Sequence, residues 1–214
     1  MNHLLNEEQF PAGFLPAWFE ARRRHALEQA EQLPEPSRHM ESWRFGAPGN
    51  ESLEHVEAAP PAAPETLAPI IRERASMPEA LRIVYANGLP VSIPEELPEG
   101  LSVMDMEDFV LQCPDTARKY LETETETLGS EKLSALTTAL QHNGLVIMAD
   151  REISLPLEIL HFISGDNVAV FPSTLLIAET GSRLHILERH LSADHGRQFC
   201  GALQQYHLSS ASSV

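Results

Sequence analysis

Two cysteines, Cys113 and Cys200, are the only thiols in 214 residues, and they form no CxxC pair. A disulfide framework or a cysteine-rich metal module therefore does not organise this chain. Basic residues are scarce too. Fifteen Lys and Arg against 31 Asp and Glu leave a formal net charge of −16 and disfavour binding to a phosphate backbone. The one basic run, Arg22-Arg23-Arg24, sits in a helical pattern among Glu20, Glu28 and Glu31 and reads as a solvated mixed-charge face. No apolar run approaches the roughly twenty residues that cross a bilayer. The Met1-Asn2-His3 start has no basic segment followed by an apolar one, so no signal peptide is expected. The expectation is a soluble, cytoplasmic protein with neither nucleic-acid nor membrane contacts. P-loop, GxGxxG and GxSxG motifs are all missing, and the residues alone nominate no catalytic group.

What the chain does have is a dense set of short apolar runs between Leu145 and Leu191. Leu145-Val146-Ile147-Met148, Leu157 to Ile163, Val168 to Phe171, Thr174 to Ala178 and Leu184 to Glu188 follow one another. Ser164-Gly165-Asp166-Asn167, Pro172 and Thr180-Gly181-Ser182 punctuate them. Runs of four to seven aliphatic residues bounded by Gly, Pro, Asn and Asp predict strands, giving an all-β body. The turns are too short for crossover helices, so a Rossmann-type layout is not expected. Spacing leaves a sandwich, a barrel and a coiled solenoid open.

Ahead of that body, residues 14–33 predict a helix entered at Pro16 and ended by Pro34, with Trp18, Phe19, Arg22, Ala26 and Ala30 near one face. Trp43 and Phe45 follow and are expected to pack inward as an anchor. Residues 46–69, rich in Pro, Ala, Glu and Gly, predict a loose surface segment. Leu81 to Tyr85, the turn Ala86-Asn87-Gly88-Leu89 and Val91 to Ile93 predict a hairpin. With Leu101 to Met104 after Pro98-Glu99-Gly100, they form a small sheet of their own. Residues 105–122 predict helix broken at Pro114. The acidic run 122–127 lacks the Gly and spacing of a Ca²⁺ loop and reads as a connector. Ser130 to Gln141 predicts an amphipathic helix closed by Asn143-Gly144.

The residues that invite chemistry lie late in the chain: His185, His190, His195, Cys200 and His207, with Glu188 and Asp194 close by. Imidazole and thiolate suit Zn or Fe, but no tight ligand pair makes a specific motif. His185 alternates with Leu184 and Ile186 and is expected off the apolar face of a strand. Asp194-His195-Gly196 reads as a turn. Metal ligation by this group is left undecided.

Four segments in order resemble the SufB/SufD family of iron–sulfur cluster assembly proteins, the SufD branch more than the SufB branch. Pro36 to Phe45 is similar to the family's amino-terminal Glu-x-Trp-basic-aromatic box, with Gly46 where Thr is common. Val84-Tyr85-Ala86-Asn87-Gly88 with Leu97-Pro98-Glu99-Gly100-Leu101 is similar to its "NG … LPxGV" segment. Leu133 to Leu140, Gly144 to Ile147 and Pro156-Leu157 resemble its helix-to-first-rung passage. Phe171 to Ile177, with Gly181-Ser182 and Leu187-Glu188, resembles a later rung.

The resemblance, over roughly residues 14–191, implies a mainly β protein: a right-handed parallel β-helix behind a helical amino-terminal region. Residues 1–127 would be that region and 128–214 the first rungs of the solenoid. It also implies a non-enzymatic scaffold subunit in a hetero-oligomer with SufB-like and SufC-like proteins. The iron–sulfur cluster would be handled by the assembled complex and no cofactor held by this segment. Family members run about twice as long, so the chain is expected to be a fragment or a shortened paralogue that needs a partner. The rival enzyme class, a β-helix carbohydrate-active protein, needs several charged residues on one sheet face. Here Glu158, Glu188 and His185 are the main ones. A bare structural or oligomerisation module is the third reading.

Overall fold

A computed structural model describes residues 15–46, 56–62, 64–122, 130–140 and 144–214. Helix α1 (Ala17–Gln32) starts after Pro16, whose missing N–H costs nothing at a helix entry, and stops before Pro34. Strand β1 (Glu57–Ala58), helix α2 (Pro64–Arg74), the hairpin β2 (Leu81–Ala86) and β3 (Leu89–Ser92), and strand β4 (Leu101–Asp105) follow. Asn87 and Gly88 take φ of 50° and 81°, the left-handed pair that a two-residue hairpin turn requires. Helices α3 (Met106–Gln112) and α4 (Pro114–Leu121) are split at Pro114, and α5 (Glu131–Leu140) leads into the strand-rich part.

That part holds β5 (Gly144–Ala149), β6 (Leu157–Ile163), β7 (Val168–Val170), β8 (Ser173–Ala178), β9 (Ile186–Ser192), β10 (Gln198–Cys200) and β11 (Leu203–Leu208). Strands adjacent in sequence fall in different sheets, ordered β11-β8-β5-β4, β3-β2-β6-β9 and β1-β7-β10. Each strand from β5 to β8 pairs in parallel with the third one after it, 29 or 30 positions on: Leu145 with Thr174, Leu157 with Ile186, Val168 with Gln198 and Ser173 with Leu203. Skipping two strands is how parallel neighbours are joined here without crossover helices.

The side chains between the sheets form an aliphatic core. Ile83, Tyr85, Leu145, Ile147, Leu157, Ile159, Leu176 and Leu184 are all buried in one cluster. Helices α3 and α4 cover the opposite face of β5 and β8, where Phe109, Val110 and Leu121 meet Val146, Leu175 and Ile177. Helices α1 and α5 pack through Ala26, Ala30, Ala135 and Ala139, small residues that allow close approach. Thr137 Oγ1 on α5 donates to the Gly201 carbonyl (2.7 Å), which fixes the helix pair against the β10–β11 corner.

Several expectations need correcting. The chain is mixed α/β rather than mainly β, because five helices cover the sheets among the described residues. Residues 46–69 are not loose throughout. β1 pairs with β7, and α2 docks through Leu67, 1 % exposed, beside Val84, Leu160 and Phe162. Pro64 and Pro69 disguise that helix in the sequence. The hairpin and β4 are no separate small sheet: β2 pairs in parallel with β6, and β4 antiparallel with β5. Trp43 is half-buried, but Phe45 is 89 % exposed under the Arg44 guanidinium and anchors nothing. The acidic run 123–127 and Asn143 lie outside the described residues.

Candidate functional site

Along β6, Leu157 and Ile159 face the core, and the two-residue period of a strand sends His161 to the same side. In the parallel register Ile159 stands opposite Glu188 and His161 opposite His190. The apolar interior therefore gives way to a polar pit. The His161 and His190 rings stack with centroids 4.7 Å apart and planes 11° apart, and Tyr85 of β2 lies behind His161 at 5.5 Å.

Glu188 is the centre of the pit. His161 Nε2 lies 2.9 Å from its Oε1, Thr174 Oγ1 donates to the same oxygen at 2.7 Å, and His190 Nε2 is 4.0 Å away. Burial pushes the Glu188 carboxyl up, but the bond and charge of His161, the Thr174 hydroxyl and the charge of His190 outweigh it and hold the carboxyl below its ordinary range. Burial, with the neighbouring His161 charge, pushes the His190 imidazole down against the pull of Glu188. Cys200 Sγ sits 3.7 Å from His190 Nδ1. Burial, then the Glu188 charge, pushes this thiol up to about 11, so it is protonated at neutral pH. Gln204 reaches the other ring nitrogen of His190 at 3.3 Å.

Two polar atoms of the pit, Glu188 Oε2 and His161 Nδ1, are buried without a hydrogen-bond partner. One ligand atom each from His161, Glu188 and His190 lie within 4.8 Å of one another. Of the histidines and cysteine singled out in the sequence, the fold unites only His190 and Cys200, with Glu188. His185 is exposed just before β9, and His195 is exposed in the β9–β10 corner. There Asp194 serves the backbone, accepting from Gly165 N (2.8 Å), Gly196 N (2.9 Å) and Ser164 Oγ (2.9 Å). His207 lies apart, its ring 4.8 Å from Tyr120. Glu158 faces away from Glu188 and is bound to Arg82 and to Ser76. His161 and Thr174 were missed. The signal that finds His161 is the 29-residue register, which sets it under His190.

No protein-family model matches the chain. Among curated proteins, the iron–sulfur cluster assembly protein SufD of Bacillus subtilis is 25 % identical over 187 residues, 83 % of this chain and 42 % of that protein. Iron–sulfur cluster assembly SufBD family proteins of Mycobacterium bovis and Mycobacterium tuberculosis are 31 % identical over 97 residues, 44 % of this chain and 11 % of theirs. The chain thus spans less than half the length of the curated relatives it matches. Fold and site together define a mixed α/β protein of stacked parallel strands with a histidine–carboxylate pit in its interior. Its relatives lie in the SufB/SufD family, and the resemblance read from the sequence is borne out.

Proposed function

We propose that the chain is a SufD-like component of an iron–sulfur cluster assembly scaffold that acts by binding SufB-like and SufC-like proteins in a hetero-oligomer. In this reading the three sheets are the faces of a right-handed parallel β-helix. Residues 128–214 supply its first regular rungs, and residues 1–127 the helical region that covers them together with β1 to β4, which extend the same sheets. The subunit is non-enzymatic and cytoplasmic, and the cluster is cargo of the assembled complex. The observation that carries the reading is the pairing of every third strand in parallel, found in a chain whose similarity to a SufD protein extends over 83 % of its residues. The separation of Glu158 and Glu188 onto opposite faces of their sheet weighs against a carbohydrate-active site, which needs charged groups converging on one face.

The test is co-purification. A tagged chain expressed together with SufB- and SufC-type proteins is expected to elute with them at fixed stoichiometry in size-exclusion chromatography. Elution of the folded chain alone at every concentration tried overturns the proposal.

A further inference from the structure

We propose that His161, Glu188 and His190 hold a single divalent first-row metal ion, of the Zn(II) or Fe(II) class, in the interior pit. The inference concerns this chain's own residues and stands independently of the scaffold reading.

Two imidazoles and one carboxylate on adjacent parallel strands present ligand atoms within 4.8 Å of one another. Two histidines with one carboxylate suit borderline divalent ions and leave further positions open. Iron–sulfur clusters, by contrast, are built on several thiolates. The pit has one thiol, Cys200, and it lies against Nδ1 of His190, the ring nitrogen other than the one that approaches Glu188. A mononuclear ion is therefore the species these residues fit.

Were His161 and Glu188 only a structural ion pair, their remaining polar atoms would be satisfied, since an unpaired buried polar group is costly. Instead Glu188 Oε2 and His161 Nδ1 both lie buried with no partner, on side chains 8 % and 5 % exposed. Glu188 Oε1 meanwhile gathers Thr174, His161 and His190. A cation beside this carboxylate supplies the partner that Glu188 Oε2 otherwise lacks.

Thr174 orients the carboxylate, and Tyr85 and Cys200 pack against His161 and His190, the kind of outer contacts that hold metal ligands in place. His190 is a quarter exposed, which gives an ion a path from solvent.

The experiment uses the full chain, stripped with a chelator and titrated with Co(II), then with Zn(II) in competition. The expected result is one Co(II) per chain, visible d–d bands that Zn(II) abolishes, and elemental analysis agreeing with that ratio. Glu188→Gln and His190→Gln are each expected to weaken Co(II) binding by about tenfold or more, while His195→Gln, at the exposed corner, leaves it unchanged. Circular dichroism and the thermal midpoint establish that each variant is folded. His161→Gln is held back because that ring is the most deeply packed of the three. Absence of d–d bands with the folded wild-type chain overturns the proposal. So does stoichiometric binding that both folded variants retain. Neither outcome bears on partner binding, so the scaffold reading fails or survives separately.

Discussion

Thr174 and His161 come from different sheets, yet they meet on one atom, Oε1 of Glu188, at 2.7 and 2.9 Å. That convergence couples the charge of the pit to the packing of β6, β8 and β9. Protonation of the pit should therefore loosen the packing of the interior.

In the chelator-stripped chain the pH dependence has a definite sign. The His190 imidazole is held below its ordinary value of 6.5 in the folded chain, so the unfolded chain binds the proton first as pH falls. Stability should decline as pH drops below about 6.5 and level off below the folded-state value. Glu188, also held low, adds stability that is lost only as pH falls further, below 4.5 toward its folded-state value. Urea midpoints between pH 7.5 and 5 measure the first part. His190→Gln should flatten the slope, and an unchanged slope would show that His190 is not the group responsible.

Leu67→Ala tests whether α2 belongs to the body. A Leu 1 % exposed against Val84, Leu160 and Phe162 should cost about 2–4 kcal/mol when truncated. Urea unfolding measures it, and a loss within about 0.5 kcal/mol, typical of surface changes, would mean that the helix is not docked.

Glu158→Gln should be costly for a different reason. The fully buried carboxylate accepts from Arg82 Nε (2.8 Å) and from the Ser76 amide and hydroxyl (2.7 Å each). Weakening these charge-assisted bonds should cost about 1.5–3 kcal/mol, moderated because Arg82 keeps partial contact with water. The double variant Glu158→Gln/Arg82→Met should lose less than the two single changes summed.

At the β9–β10 corner, Asp194→Ala removes the acceptor shared by Gly165, Gly196 and Ser164. A loss of about 1–2 kcal/mol is expected, with faster proteolysis between β9 and β10 as the more sensitive readout. Equal cleavage rates in wild type and variant would show that the corner is held by other contacts.

Most of the strands were legible because continuous aliphatic runs between Gly, Pro and Asn leave little choice. Both ends of α1 were legible from Pro16 and Pro34, and α5 from its amphipathic pattern and the Gly144 that follows it. β10 and β11 were not. Gln198-Phe199-Cys200 is short, and Leu203 to Leu208 carries Gln204, Gln205 and His207, polar residues that a strand at the edge of its sheet tolerates. The site was half legible. Glu188, His190 and Cys200 drew notice as a sequence cluster, while His161 was concealed in a fully buried aliphatic run. Only the pairing register reveals its neighbours, and no local pattern encodes that register.

The nearly constant separation of 29 or 30 residues between paired strands carries a kinetic consequence. From β5 to β11 each parallel pairing closes a loop of nearly the same length, so the entropic toll of adding a level barely changes along that part of the chain. No pairing in this series is so distant that it must wait for the others, and ordering can begin at any level and spread to its neighbours like a zipper.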